Sequence, residues 1–449
     1  MPDTRPKAMV QDPGTQPRRM RIAIVGADGF IGRAIWRRLA EAGHEVVPAI
    51  RRVRRGGVTG QGPQPIFCDL AHDSAGIWKR RLQGVDAVVN AVGLFQQTRH
   101  RRFAQLHHTG PAALFDGARA AGVAKVVQIS ALGADDGAAS AYHLSKRAAD
   151  QHLRGFDPDA GDPAWVILRP SIVVGRGGAT TTLLARLGRL PLRFTAGTEG
   201  WPVQPIHIDD LADLAAVLLV DPRARREVVD AVGPEAMPFH RLIDLAGRWS
   251  GGGRHLSVPL GPRWWSLAAA IGDHIPGQPF DRAALSMLRR GNTDGTGDVE
   301  RWLGRRPVTL DTALAFRPAT AVERAGFAAL SWRWALVLAL AAFWIATAVI
   351  SLWIYPRADS LALLDRVGLT GWWATAALYA ASAWDMLLGA GLLVRRRRRL
   401  AAWLQVATML VFTAIIAAAL PEFLAHPFGP VTKNLPILAA TLMLIALEE

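Results

Sequence analysis

Val25-Gly26-Ala27-Asp28-Gly29-Phe30-Ile31-Gly32 decides the fold of this chain. An apolar run, Arg21–Gly26, leads into it, and a helix-length segment leaves it. The three glycines are spaced G-x-x-G-x-x-G. A turn of this kind needs residues without Cβ if backbone amides are to approach a pyrophosphate at a helix N-terminus, where the helix dipole favours an anion. A plain tight turn could use the same glycines. The strand before, the helix after and the place at the head of an alternating pattern favour dinucleotide binding, with Gly26, Asp28, Gly29, Phe30, Ile31 and Gly32 as contact residues.

Working outward, short apolar runs recur at Glu45–Ile50, Pro65–Asp69, Asp86–Asn90, Lys125–Ser130 and Trp165–Arg169, mostly separated by helix-length segments. That alternation predicts βαβ units around a parallel sheet, an α/β fold of the Rossmann-type, doubly wound kind. Residues 21–330 read as one nucleotide-binding domain, in which 155–330, rich in Pro and Gly, forms a smaller C-terminal lobe. Residues 1–20 read as a disordered tail without the hydrophobic core of a secretory signal, so the domain that follows is expected in the cytoplasm.

Charge selects the nucleotide. The second strand ends in Arg51-Arg52, followed by Arg54-Arg55, where NAD-binding proteins usually place an acidic residue on the ribose 2′-hydroxyl. Arginine suits a 2′-phosphate through charge-assisted, bidentate bonds, so NADP(H) is favoured over NAD(H), the other reading being a solvated basic loop. Asp69 and Leu70 are expected at the adenine edge, and Asn90-Ala91-Val92-Gly93 beside the cofactor.

Tyr142-His143-Leu144-Ser145-Lys146 sets a phenol and an amine four apart, on one helix face. A nearby ammonium lowers a phenol pKa, so Tyr142 is expected to pass a proton to a substrate carbonyl. Lys146 would hold the nicotinamide ribose, and Ser130, at the end of the preceding strand, would bond the reacting oxygen. An ordinary helix-surface pair is the alternative, although a chain with 3 tyrosines offers few chances for it.

Composition points to a second, different region. The chain has 449 residues, 50% hydrophobic and 20% charged, and its mean hydropathy is +0.16. That excludes disorder as the main state. A single cysteine, Cys68, excludes a disulfide framework and any multi-thiolate metal site, and His100, His107 and His108 show no metal-ligand spacing, so no metal is expected. The last 119 residues, 331–449, read as an all-α four-helix transmembrane domain with spans near 334–355, 371–394, 400–420 and 435–447, the last one short. About 20 helical residues cross a hydrocarbon core. Arg395–Arg399, between the second and third spans, marks a cytoplasmic loop and a lipid contact. Asp385 is the one charged residue of the second span and is expected to carry a proton, to pair with Lys433 or His426, or to make a neutral helix–helix contact. With the formal charge of +15 explained locally, no nucleic-acid partner is expected.

Gly26/Gly29/Gly32, Asp69, Asn90, Ser130, Tyr142/Lys146, Arg169-Pro170 and Pro205-Ile206-His207-Ile208-Asp209-Asp210 together resemble an extended or atypical short-chain dehydrogenase/reductase. Val127-Gln128-Ile129-Ser130-Ala131-Leu132-Gly133-Ala134 is similar to the branch holding the NAD(P)H-binding accessory subunit of respiratory complex I. Leu361–Gly371, His426-Pro427-Phe428-Gly429-Pro430 and Lys433-Asn434-Leu435-Pro436 resemble the DoxX-like membrane proteins. The resemblance adds Arg169 and Pro170 to the cofactor contacts. It implies an oxidoreductase of the cell inner membrane, nucleotide domain inside, acting on a lipophilic carbonyl or quinone. The competing expectation is a non-catalytic NAD(P)H-binding module that docks a respiratory or quinone-pathway protein.

Overall fold

The computed structural model describes residues 18–51, 63–94, 103–195, 200–274, 280–424 and 431–448. Arg52, Arg54, Arg55, His100, the stretch His426–Pro430 and most of the N-terminal tail lie outside them. The chain divides into two compact units, one through Ala319 and the other from Thr320.

The first unit opens with β1 (Arg21–Val25), α1 (Phe30–Glu41), β2 (Glu45–Ile50), β3 (Ile66–Phe67), α2 (Ala75–Arg81), β4 (Ala87–Asn90), α3 (Gly110–Ala120), β5 (Lys125–Ile129), α4 (Ala141–Arg154) and β6 (Ala164–Pro170). There follow β7 (Val173–Val174), α5 (Ala179–Leu187), β8 (Leu192–Thr195), β9 (Pro202–Val203), β10 (Ile206–His207), α6 (Ile208–Val220) and β11 (Arg226–Ala231). The unit ends with β12 (Met237–Pro238), α7 (Phe239–Trp249), β13 (Leu256–Pro259), α8 (Pro262–Asp273), α9 (Arg282–Arg290), α10 (Gly297–Leu303) and α11 (Leu310–Phe316).

Seven strands form a parallel sheet in the order β11-β6-β5-β4-β1-β2-β3. Successive strand residues face opposite sides. Ile22 and Ile24 of β1 accordingly join the core beneath α1 and α6, with Ile35, Leu39, Leu211 and Leu218. Ala23 and Val25 join the opposite core, where Trp78 of α2 and Phe115 of α3 are fully buried. Helices on both faces explain the nearly continuous apolar strands.

The six strands expected from sequence all occur, within a residue or two. A seventh, β11, was absent from that reading. It falls in a segment expected to be mainly lobe: α6 and β11 return to the main sheet, and β11 pairs with β6 from Arg226–Trp165 to Ala231–Pro170. The rest of the lobe has its own core of Val174, Leu184, Leu242, Leu245, Leu310 and Leu314, and short two-stranded pairs β7–β10, β8–β13 and β9–β12.

The second unit contains α12 (Ala321–Val349), continued by a π-helical turn Ile350–Ile354, then α13 (Arg357–Arg366), α14 (Gly371–Leu393), α15 (Arg398–Ala419) and α16 (Asn434–Leu447). Thr320 and Glu323 form a reciprocal capping box that starts α12. Among the described residues three helices are long and apolar enough to cross a bilayer: 321–354, 371–393 and 398–419. The expected fourth span is the 14-residue α16, which at 1.5 Å per residue covers about 21 Å of a ~30 Å core. The arginine run is also not purely a lipid contact. Arg398 is fully buried, donates from Nε to Leu392 O at 2.7 Å and from Nη1 to Glu448 Oε1 at 2.9 Å, and lies 4.6 Å from the Trp334 ring centroid. Arg333 approaches the same carboxylate at 3.6 Å.

Candidate functional site

The glycine turn lies at the carboxyl ends of β1 and β4, where the strand order reverses and open α/β sheets hold their ligands. Gly26 has φ +84°, and a Cβ there would meet Val92 Cγ2 at 3.0 Å. A Cβ on Gly32 would stand 2.2 Å from Gly26 O, so the first turn of α1 can press on the loop only as glycine. Gly29 N–H donates to Gly26 O at 2.9 Å, and the first helical bond is Arg33 N–H to Gly29 O at 3.0 Å. The amides of Phe30, Ile31 and Gly32 therefore have no intrahelical acceptor. A bare cradle at a helix N-terminus fits a dinucleotide diphosphate.

The flanks of this cradle are set by hydrogen bonds. Gly26 N–H donates to Ala49 O at 3.0 Å and Ala91 N–H to Val25 O at 2.9 Å. Arg51 follows β2 and is exposed. Asp69 spends its Oδ1 on Ala71 N–H at 3.2 Å, while its own amide donates to Asp73 Oδ2 at 2.6 Å, which fixes the turn that presents buried Leu70. Asn90 was expected beside the cofactor. Its side chain is instead fully buried, donating to Gln128 Oε1 at 2.7 Å and accepting from Val92 N–H at 3.3 Å. Its part is to shape the Ala91-Val92-Gly93 edge.

α4 begins where Ser140 Oγ caps His143 N–H at 3.1 Å, and this places Tyr142 in the first turn. Lys146, one turn on, is 3% exposed. Its ammonium donates to Ile129 O at 2.9 Å and Val92 O at 3.2 Å, bridging the ends of β5 and β4. Burial pushes its pKa down to about 8, with Asp150 opposing. The phenol departs from expectation, because burial pushes Tyr142 up to about 12 rather than Lys146 drawing it down. Phe103, His107 and His143 surround the phenol ring at centroid distances of 5.8, 5.5 and 5.4 Å.

His107, weighed from sequence only as a metal ligand, belongs to this site. It is fully buried, and its Nε2 accepts from Leu94 N–H at 2.8 Å, so Nδ1 carries the proton toward Ser145 Oγ at 3.0 Å. Ser145 in turn donates to Tyr142 O at 2.7 Å. Burial, then the Lys146 charge, push His107 down to about 3 and keep it neutral. No periodicity links positions 107 and 142, and only the fold brings them together.

Ser130 and Arg169 were expected at substrate and cofactor. Ser130, 3% exposed, donates to Asp150 Oδ2 at 2.6 Å, and would have to leave that carboxylate before serving a substrate oxygen. Arg169 Nε lies 3.4 Å from the same Oδ2, while Pro170 O accepts from Leu132 N–H at 2.9 Å. Asp150 is 1% exposed, and burial pushes it up to about 6 against the pull of Ser130, Arg169 and Lys146. A polar cavity of about 70 Å³ adjoins it. Arg290 of α9 grips the loop before α4, donating to both Asp135 oxygens at 2.6 and 2.8 Å and to Gly137 O at 2.9 Å. Among the described residues no three His, Cys, Asp or Glu side chains converge to hold a metal ion.

Residues 22–230 match the NAD dependent epimerase/dehydratase family, and residues 341–442 match the DoxX-like family. A ceramide reductase of Caulobacter vibrioides is 30% identical over 200 residues, 42% of this chain and 58% of the relative. The Arabidopsis thaliana mitochondrial NADH dehydrogenase [ubiquinone] 1 alpha subcomplex subunit 9 is 25% identical over 235 residues, 49% of this chain and 56% of that protein. The chain thus spans little more than half the length of these relatives. In fold it is similar to an NADPH-dependent quinone oxidoreductase of Escherichia coli (TM-score 0.51, 18% identity, 66% of this chain and 99% of that one). An epimerase of Methanothermobacter thermautotrophicus aligns at TM-score 0.52 and 13% identity, over 67% of this chain and 91% of the other. The chain therefore joins an NAD(P)-binding domain of the epimerase and short-chain dehydrogenase type, related to the complex I subunit and ceramide reductase, to a C-terminal DoxX-like domain.

Proposed function

We propose that this protein is a membrane-anchored, NADP(H)-dependent oxidoreductase that reduces a lipophilic carbonyl or quinone, its nucleotide domain facing the cytoplasm. One observation carries the reading: Tyr142 stands one helical turn from a buried ammonium that bridges Val92 O and Ile129 O, at the sheet edge where the Gly26 cradle opens. Bound there, a nicotinamide supplies the hydride. Gly26, Gly29 and Gly32 with the first amides of α1 would hold the diphosphate, Arg51 the 2′-phosphate, and Lys146 the ribose. The chain's own task is the proton. A phenol at about 12 is fully protonated at neutral pH, the state an acid needs for carbonyl reduction. Lys146 on the same helix face then offsets the charge left on the phenolate oxygen. Neutral His107 keeps the helix start in place through Ser145.

The three apolar helices support a substrate that dissolves in the bilayer, as does kinship with a protein named ceramide reductase. The test is NADPH oxidation by the detergent-solubilised full chain with long-chain ketones, an N-acyl amino ketone and short-chain quinones. Tyr142→Phe should retain NADPH binding and lose about 10²–10⁴-fold in kcat, the usual contribution of a positioned acid. A non-catalytic nucleotide-binding module is favoured by the commitment of Ser130 to Asp150. Tight nucleotide binding with no turnover across the whole panel would establish that second reading.

A further inference from the structure

We propose that the DoxX-like domain contains a binding site for a membrane-dissolved alcohol or phenol, a hydroxyl group on an apolar body, with Asp385 as its acceptor. The inference does not rest on the oxidoreductase reading and concerns a different unit of the chain.

A cavity of about 460 Å³ lies among the end of α12, α13, α14 and α15. Small-molecule sites commonly fall at about 300–1,000 Å³. Leucine, isoleucine, alanine and Phe412 side chains make up much of its wall, with Asp385, Ser382, Thr347, Ser351 and Tyr355 set among them. Asp385 is 6% exposed, and its Oδ1 has no hydrogen-bond partner. Neither Lys433, one of its expected partners, nor any other described residue bonds it. A buried acidic side chain in a hydrocarbon layer is costly, and it usually faces a partner or a cavity. Here it faces the cavity.

The hydroxyls define what the wall offers. Ser382 donates to Leu378 O at 2.8 Å and Thr347 to Phe343 O at 2.9 Å. Their protons are spent within their own helices, so they turn lone pairs, not donors, outward. With Asp385 Oδ1 they set three acceptors beside the Ser351, Ser360 and Tyr355 hydroxyls, which can donate or accept. A ligand hydroxyl, donor and acceptor at once, answers both, whereas a ketone oxygen leaves Asp385 Oδ1 unpaired. An acyl chain would fill the apolar part and leave the carboxyl unpaired. An ammonium would require an ionised carboxylate in a wall of neutral hydroxyls. The π-helical turn Ile350–Ile354 supplies Ile350 and Ser351 to the same cavity, and such widened turns concentrate at functional sites.

The test uses the purified full chain in detergent with three probes of one skeleton: 2-decanol, 2-decanone and decylamine. Each is read as a saturable shift in thermal midpoint and as competition against a diazirine-bearing decanol mapped by peptide mass spectrometry. The expected result is that 2-decanol binds at least tenfold more tightly than 2-decanone, with label on the Gly371–Leu393 or 347–355 segment. Asp385→Leu should lose at least tenfold in alcohol affinity. Asp385→Asn, which keeps an acceptor oxygen and guards against a folding artefact, should retain most of it, and Ala381→Leu should block by filling the cavity. Equal affinity for alcohol and ketone, an unchanged Asp385→Leu, or no saturable label would reduce the cavity to a place for lipid or water. Preference for decylamine, lost in Asp385→Asn, would make it a cation site. Any of these outcomes overturns the proposal.

Discussion

The Ser130 hydroxyl and the Asp150 carboxylate are joined at 2.6 Å, tying the end of β5 to α4 one turn beyond Lys146. This bond removes Ser130 from the open edge and creates a buried acid that the sequence did not announce. Asp150 couples electrostatically to Lys146, so the ammonium that bridges β4 and β5 and the carboxyl behind it share one environment.

A pH signature follows from that acid. Asp150 rises from 3.8 to about 6 in the folded chain. The native state therefore holds this proton more tightly than the unfolded chain does, and ionisation opposes folding. The contribution is complete below pH 4, declines between pH 4 and 6 and is gone above, on the order of 3 kcal/mol in all. Asp230, also pushed up to about 6, slopes the same window. Thermal unfolding of the nucleotide-binding unit of Asp150→Asn across pH 4–7 should give a flatter profile than the parent. An unchanged slope would assign the effect to Asp230 alone.

Gly32→Ala and Gly29→Ala should separate packing from approach. At Gly32 the new Cβ meets backbone at 2.2 Å, whereas at Gly29 its nearest atom is Gly26 O at 3.1 Å. We expect Gly32→Ala to lose about 2 kcal/mol or more and nearly all nucleotide affinity, as overpacking against rigid backbone does. Gly29→Ala should remain folded, with a milder loss of affinity. Nucleotide titration by fluorescence alongside thermal unfolding reads both.

Arg51→Glu addresses nucleotide choice. A carboxylate at the end of β2 repels a 2′-phosphate and accepts from a 2′-hydroxyl. The ratio of NADPH to NADH dissociation constants should shift at least tenfold toward NADH. An unmoved ratio would make Arg51 a solvated surface residue.

In the membrane unit, Glu448→Gln leaves the Arg398 guanidinium buried without its carboxylate. Removing one partner of a buried pair costs about 3–5 kcal/mol. The measurable outcome is a lower thermal midpoint for the helical unit in detergent, with Arg398→Leu, which removes the buried charge itself, expected to be milder.

The sheet was legible because its strands are covered on both faces and so read as plain apolar runs, and the glycine turn because only a close backbone approach requires three such residues. β11 escaped because Arg226-Glu227-Val228-Val229-Asp230-Ala231 is a charged edge strand, arriving after a long excursion through the lobe. Tyr142 and Lys146 were visible through helical spacing. His107 and Arg290 were not, since each acts across a long separation in sequence that no local pattern encodes; Asp150 stands at helical spacing from Lys146, but its bond to Ser130 is a tertiary contact. Arg398 shows the opposite failure: five adjacent arginines look equivalent in sequence, and packing against Trp334 singles out one of them.

Arg290 reaches back 155 positions to hold Asp135, a few residues ahead of Tyr142. In the proposed reaction that tie would link choice of substrate to delivery of the proton, because whatever shifts α9 tugs on the strap that leads into Tyr142. A ligand too small to settle the lobe would leave the acid unaligned, and selectivity would then show in turnover rate rather than in affinity.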